Sequence, residues 1–380
     1  MTCPSCATDL APRATFCSNC GHRIEDPYVG TTLNDRYRID SKIAIGGFGS
    51  IYQATQLDLG REVAIKIMHP ELAADAKLVA RFRREGVVLC NLRDAHTVTT
   101  YELDQTADGR LFIVMELLTG KTLLDMFLTE GKVPWRRMFA YVRAMCSALA
   151  EAHALGVVHR DLKPANIFLE MRPEGGEFVK VLDFGIAKVM HENGIIDGAE
   201  LTVMGQAVGT LEYMAPEQLM GGKCDGRTDI YTVGVVAYEM ITGRRPFGAV
   251  GHDLLTMQLA ETPVPASRLA DERVPESADR ILLRCLDRDA ERRFADVHEL
   301  ARAIDEVLAA EPARASSPAP LAAPPLPLRI SPTPAPIARL PVPFPAPAPS
   351  PPQLRVGRIA IAVALLLALG AGVIAAIADL

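Results

Sequence analysis

This chain lacks a basic surplus. Its 40 Lys and Arg are outnumbered by 46 Asp and Glu, for a formal net charge of −6. A general nucleic-acid binder carries an excess of positive charge, so no nucleic-acid partner is expected. The N-terminus, "MTCPSCATDLAPRATFC", also lacks a basic region followed by an apolar run. A secretory leader needs both, so the bulk of the chain is expected in the cytoplasm. Thiols stay reduced there, which argues against a disulfide framework despite eight cysteines. Cys90, Cys146, Cys224 and Cys285 are scattered and read as inert core residues. One local absence bears on regulation. Between Asp183 and Glu217 there is no serine and there are only two threonines, Thr202 and Thr210.

What is present divides the 380 residues into four segments. Residues 1–24 hold Cys3, Cys6, Cys17 and Cys20 as two C-x2-C pairs. Each pair turns two sulfurs toward one point, and two such knuckles close a tetrahedral four-thiolate site that suits Zn²⁺. "CPSCATDLAPRATFCSNCGHRI" resembles the short zinc ribbons found at the ends of many bacterial proteins. Four thiolates leave no open position, so the zinc is expected to be structural and to drive folding of a segment with little core of its own. His22 is a competing ligand, and a redox cluster is the alternative to a metal site.

Residues 309–355 are rich in Pro and Ala. Proline lacks the backbone donor and fixes φ, so this stretch is expected to be a disordered, semi-rigid linker. Ile359–Ala378, "IAIAVALLLALGAGVIAAIA", has no charged residue. Twenty helical residues span about 30 Å, the thickness of a bilayer core. Arg355 and Arg358 precede the run and Asp379 follows it. The positive side faces the cytoplasm, so the expectation is one transmembrane helix: a single-pass anchor in the cell inner membrane, with the preceding domain cytoplasmic.

Residues 37–308 carry the chemistry. "YRIDSKIAIGGFGSIYQATQ" reads as strand, Gly-rich turn, strand, and "EVAIKIM" puts Lys66 in an apolar strand where it needs an anionic partner. "RFRREGVVL" offers Glu85; "HRDLKPANIF" offers Asp161, Lys163 and Asn166; "VLDFG" offers Asp183. The ordered set of Gly-rich loop, V-A-I-K, H-R-D-L-K-P-x-N, D-F-G and A-P-E is identified as that of a bacterial eukaryotic-type (Hanks-type) Ser/Thr protein kinase, here with an N-terminal zinc ribbon and a C-terminal transmembrane anchor.

The resemblance implies an α+β, two-lobed protein kinase fold that transfers the ATP γ-phosphate to Ser or Thr of protein substrates, with Mg²⁺ or Mn²⁺. It implies roles for particular residues. Asp161 is the catalytic base and Lys163 reaches the γ-phosphate. Lys66 holds the α/β-phosphates and pairs with Glu85. Asn166 and Asp183 ligate the metal. Around the nucleotide stand Ala44, Ile45, Gly46, Gly47, Phe48, Gly49 and Ile51 of the loop, together with Ala64 and Leu169. Met115 is the gatekeeper, and Glu116 and Leu118 offer their backbone at the hinge. Glu217 is expected to pair with Arg293, and Asp229 to brace the catalytic loop.

Two positions depart from the pattern. Ala44 stands at the first glycine of the loop, and Leu211 follows Thr210 where proline is usual. The first bears on nucleotide affinity and the second on substrate preference. Arg160 precedes the catalytic Asp, which points to an anion on the activation loop. Thr202 is the candidate phosphosite, modified in trans by a second copy gathered on the membrane. The alternative reading is a pseudokinase scaffold that docks partners through the ribbon. Against it, Lys66, Asp161 and Asp183 are all present.

Overall fold

The computed structural model describes residues 2–9, 16–22, 26–46, 49–73, 79–80, 83, 86–87, 89–184, 211–248 and 251–311. The chain separates into a unit of Met1–Arg314 and one of Ala315–Leu380, and all described residues belong to the first. The expectations for Glu85, Gly47, Phe48 and Thr202, for nearly all of the Pro-rich segment and for Ile359–Ala378 fall outside the described residues.

An antiparallel six-stranded sheet comes first. Its strands are β1 (Thr32–Leu33), β2 (Tyr37–Ile45), β3 (Gly49–Gln56), β4 (Arg61–Met68), β5 (Thr100–Gln105) and β6 (Leu111–Glu116). They lie in the order β1-β2-β3-β4-β6-β5. Alternation builds one buried face: Tyr37, Ile39, Tyr52, Ala54, Val63, Ile65, Phe112 and Val114 form a single apolar cluster. At the other end of β4, Met68 joins Leu72, Leu111 and Ile113 in a second cluster.

Residues 26–36 precede the segment that carries the kinase pattern, yet they pack on this sheet. Asp26 accepts a hydrogen bond from Lys42 Nζ at 2.6 Å and one from the Tyr52 hydroxyl at 3.1 Å. The Tyr28 and Tyr52 rings meet edge to face at 5.7 Å. β1 pairs Thr32 with Arg38 and Leu33 with Tyr37. The folded lobe therefore begins ahead of Tyr37. Burial works against the Asp26 carboxylate, but Lys42 and the Tyr28 N–H hold its pKa below the usual carboxylate range.

The second lobe is helical. Its elements are α1 (Leu123–Glu130), α2 (Trp135–Ala154), α3 (Pro216–Leu219), α4 (Gly226–Thr242), α5 (Gly251–Ala260), α6 (Glu276–Cys285) and α7 (Val297–Ala310). A small antiparallel sheet of β7 (Gly120–Thr122), β8 (Ile167–Met171) and β9 (Glu177–Val181) is built from strands that flank α1 and α2 in the chain. α1 starts with a capping box, in which Thr122 accepts from Asp125 N–H and the Asp125 carboxylate accepts from Thr122 N–H.

α4 is the core of this lobe. After a polar first turn its sequence, "GRTDIYTVGVVAYEMIT", is largely apolar, as a helix enclosed on most sides must be, and 14 of its 17 residues are buried. Asp225 caps its start and Gly243, at φ 78°, closes its end. A Cβ on Gly234 would stand 2.6 Å from Cys285 Cβ, so glycine there lets α4 and α6 approach closely.

Candidate active site and metal centre

The loop from His159 to Asn166 is held together by short-range bonds. Lys163 Nζ donates to Asp161 Oδ2 at 2.9 Å. The Asn166 side-chain amide donates to the Asp161 carbonyl at 2.8 Å and to Asp161 Oδ2 at 3.3 Å. A 3-10 turn over Pro164–Asn166, opened by proline, brings the amide back toward the acid. The amide nitrogen is thus taken up, which leaves the Asn166 amide oxygen as an acceptor of the kind a hard cation would take.

Two residues of this site hold left-handed backbone without being glycine: Arg160 at φ 62° and Asp183 at φ 48°. Such residues cost about 1–3 kcal/mol each and persist only where their surroundings over-determine them. For Arg160 those surroundings are visible. Asp229 accepts the N–H groups of His159 and Arg160 on its two carboxylate oxygens, both at 2.8 Å. Gln218 Nε2 donates to the Arg160 carbonyl at 3.1 Å.

His159 links the two motifs. Its Nε2–H donates to the Leu182 carbonyl at 2.9 Å, which leaves Nδ1 to accept the Asp161 N–H at 3.3 Å. Its ring lies 4.7 Å from that of Phe184. Burial lowers the His159 pKa, so the ring stays neutral and keeps this tautomer. The motif pattern gave His159 no role, although full burial of a histidine inside a loop is a signal that only packing reveals.

Lys66 projects from β4 with its side chain 13% exposed, and its Nζ meets Asp183 Oδ1 at 2.6 Å. The strand lysine does have an anionic partner, and the described one is Asp183; Glu85 lies outside the described residues. Ala64 pairs across the sheet with Met115, and Ile51 with both Ala44 and Lys66. Leu169 is fully buried on β8. A cavity of about 20 Å³, roughly the space for one water, is lined by Lys66, Met115, Asp183 and Phe184 among others.

Of the Gly-rich turn, Ile45, Gly46 and Gly49 are described. Gly46 N–H donates to the Gly49 carbonyl at 2.9 Å, and His69 Nε2 donates to the Gly46 carbonyl at 2.9 Å. A Cβ on Gly49 would stand 2.3 Å from the Ile67 carbonyl oxygen. Close strand packing by itself therefore requires glycine at this position.

Further along, Arg293 and Glu217 meet in a double hydrogen bond at 2.8 and 2.9 Å, with the arginine side chain wholly shielded from solvent. Burial works against the Glu217 carboxylate, but Arg293 outweighs it and lowers its pKa. The pair is fastened to α4, because Arg293 also donates to the Arg227 carbonyl at 3.0 Å and the Thr228 hydroxyl donates to Glu217 at 2.9 Å.

The four N-terminal thiols also converge. All four sulfurs lie within 4.8 Å of one another, with Cys3–Cys20 at 3.6 Å and Cys6–Cys17 at 3.5 Å. Sulfurs on a tetrahedron with the usual Zn–S length of about 2.3 Å would stand about 3.8 Å apart, so the set fits the ion. The two knuckles repeat each other. Ala7 N–H donates to Cys3 O and Gly21 N–H to Cys17 O, both at 2.9 Å; Cys3 N–H donates to Thr8 O and Cys17 N–H to His22 O. Ala7 and Gly21 both turn left-handed, at φ 57° and 71°. Hydrogen bonds from Thr8 lower the Cys6 thiol to about 5, while at Cys20 the His22 backbone is outweighed by Cys6 itself and burial, which push that thiol up to about 11.

A family model described as "Protein kinase domain" matches residues 37–306. Serine/threonine-protein kinase pkn3 of Myxococcus xanthus is 40% identical over 274 residues, covering 71% of this chain and 49% of that protein. PknL of Mycobacterium tuberculosis is 35% identical over 272 residues, covering 71% of this chain and 65% of that protein. The chain thus spans about half the length of the first of these relatives and less than two thirds of the second. A crystal structure of the M. tuberculosis PknI kinase domain superposes with a TM-score of 0.56 at 25% identity, covering 73% of this chain and 97% of that one.

Proposed function

The chain belongs to the protein kinase domain family, and from that membership we propose that it is a serine/threonine kinase that moves the γ-phosphoryl group of ATP to protein hydroxyls. The carrying observation is the convergence of Asp161, Lys163 and Asn166 on one side and Lys66 and Asp183 on the other. Asp161 orients the substrate hydroxyl and takes its proton. Lys163, 2.9 Å from Asp161, offsets charge on the group in transfer. Lys66 holds the α/β-phosphates. Phosphoryl transfer is chiefly positioning and charge neutralisation, which is what placed charges supply. The oxygen donors of Asn166 and Asp183 suit Mg²⁺ or Mn²⁺, which when bound neutralises the phosphates. The relatives' names, serine/threonine-protein kinase, support the choice of acceptor.

The test is transfer of labelled γ-phosphate to a Ser/Thr protein substrate by the full chain in detergent. Wild type should label it and Asp161→Asn should lose at least a hundredfold. Equal labelling by both would favour a pseudokinase scaffold instead.

The surrounding parts belong to the same proposal. Residues 1–24 are a structural zinc ribbon, 37–308 the kinase domain, 309–355 a disordered linker and 359–378 a transmembrane helix in the inner membrane. Among the described residues no helix is long and apolar enough to cross a membrane. The anchor rests on the uncharged run Ile359–Ala378 itself. Gathering on that surface favours autophosphorylation in trans, with Thr202 as the activating site; mass spectrometry of active protein should find phosphate there, and Thr202→Ala should lower activity.

A further inference from the structure

Nothing in the motif pattern singles out Lys180. It lies on β9, three residues before Asp183, in a stretch where a lysine reads as a stem covering apolar surface. A lysine of that kind turns its charged end to water. This one does the opposite. Its side chain is 7% exposed, and Nζ donates inward to Glu116 Oε1 at 2.6 Å and to the Thr97 carbonyl at 3.3 Å.

Glu116 ends β6 and begins the hinge. Its carboxylate also accepts the Thr99 N–H at 2.7 Å, while its own N–H donates to the Thr99 carbonyl at 3.0 Å. Residues 96–99 in turn run beside β9. Val181 N–H donates to the His96 carbonyl at 2.7 Å, and Val98 N–H to the Val181 carbonyl at 3.1 Å. One buried charge pair therefore closes a short circuit of bonds. It joins the first hinge residue to the strand that delivers Asp183.

We propose that Lys180 is a positioning residue for the nucleotide: by pairing with Glu116 inside this junction, it holds the hinge backbone that meets adenine in register with the carboxylate of Asp183 that meets the metal. The inference rests on the kinase reading above. Its physical basis is the cost of an unpaired charge. Without Lys180 the Glu116 carboxylate, one-fifth exposed, keeps a backbone N–H but loses its cation. It then moves toward water and takes the hinge with it. Misplacement of ligand groups by an ångström is enough to cost a large factor in binding or rate. A pair that served stability alone would lower the melting temperature and leave nucleotide affinity alone.

The test uses the full chain in detergent, with ADP and Mg²⁺ as the calorimetric probe and steady-state kinetics alongside. Wild type should bind ADP. Lys180→Met should weaken ADP binding about tenfold and raise KM for ATP by a similar factor, with KM for the protein substrate unchanged. Lys180→Arg, which keeps the charge, should recover most of the loss. Should Lys180→Met not fold, Glu116→Gln removes the acceptor charge at nearly constant volume and should show the same split between the two KM values. Folded Lys180→Met or Glu116→Gln with wild-type ADP affinity would overturn the inference. A wild type that binds no ADP would overturn the kinase reading itself.

Discussion

Asp229 holds Arg160 in a backbone conformation that arginine does not choose. One carboxylate oxygen accepts the Arg160 N–H at 2.8 Å, and Arg160 sits at φ 62°. The other oxygen accepts the N–H of His159 at 2.8 Å and meets His153 Nε2 at 2.7 Å. Asp229 is fully buried, so these donors are its solvation. By accepting both N–H groups it fixes the backbone turn that runs into Asp161.

Asp229→Asn should therefore act on rate more than on affinity. An amide has one acceptor oxygen where the carboxylate has two, so one of the two loop N–H groups loses its partner, at a cost of about 1–3 kcal/mol. The expected outcome is a kcat lower by a factor of about ten to a hundred, with KM for ATP within about threefold of wild type. Steady-state kinetics checks it; an unchanged kcat would show that the turn holds without this brace.

The Glu217–Arg293 pair should carry a measurable share of stability. Exposed ion pairs such as Arg280–Glu276 are worth about 0–1 kcal/mol, whereas removing one partner of a buried pair costs about 3–5 kcal/mol. Arg293→Met should lower the melting temperature markedly, and adding Glu217→Gln should restore part of the loss. A double variant no more stable than the single would refute the pairing as the cause.

The same pair sets a pH dependence. The folded pKa of Glu217 lies below its ordinary 4.5, so the unfolded chain binds the proton more readily. Its contribution is fully present above about that value and is lost as pH falls through the lowered folded pKa. Glu217→Gln should flatten the fall in stability below about pH 4.5, as read by denaturation at stepped pH.

One zinc ion per chain is expected on Cys3, Cys6, Cys17 and Cys20. Elemental analysis of purified protein should give about one equivalent, and Cys3→Ser/Cys6→Ser should abolish it. Zinc content that does not change in the double variant would place the metal elsewhere.

Removal of residues 355–380 should release the protein from membranes to the soluble fraction. Full-length protein that stays in solution without detergent after cell fractionation would rule out the anchor.

The sequence by itself determined the contents of the loop around Asp161 and of the four-cysteine cluster. Asp161, Lys163 and Asn166 fall within six residues, and each C-x2-C within four, so one turn of chain suffices to bring the side chains together. Spacing encodes such geometry because few backbone conformations connect neighbours this close. The family pattern also paired Glu217 with Arg293 and gave Asp229 its bracing role, across gaps that spacing cannot measure. Other relationships were decided by tertiary packing. Lys66 meets Asp183 across 117 positions and Lys180 meets Glu116 across 64. Asp26 reaches Lys42 and Tyr52 from ahead of the matched domain. A lysine in a strand states only that a buried cation needs an anion. Which anion it finds depends on how the sheet, the hinge and β9 close on one another, and only the folded chain sets those distances.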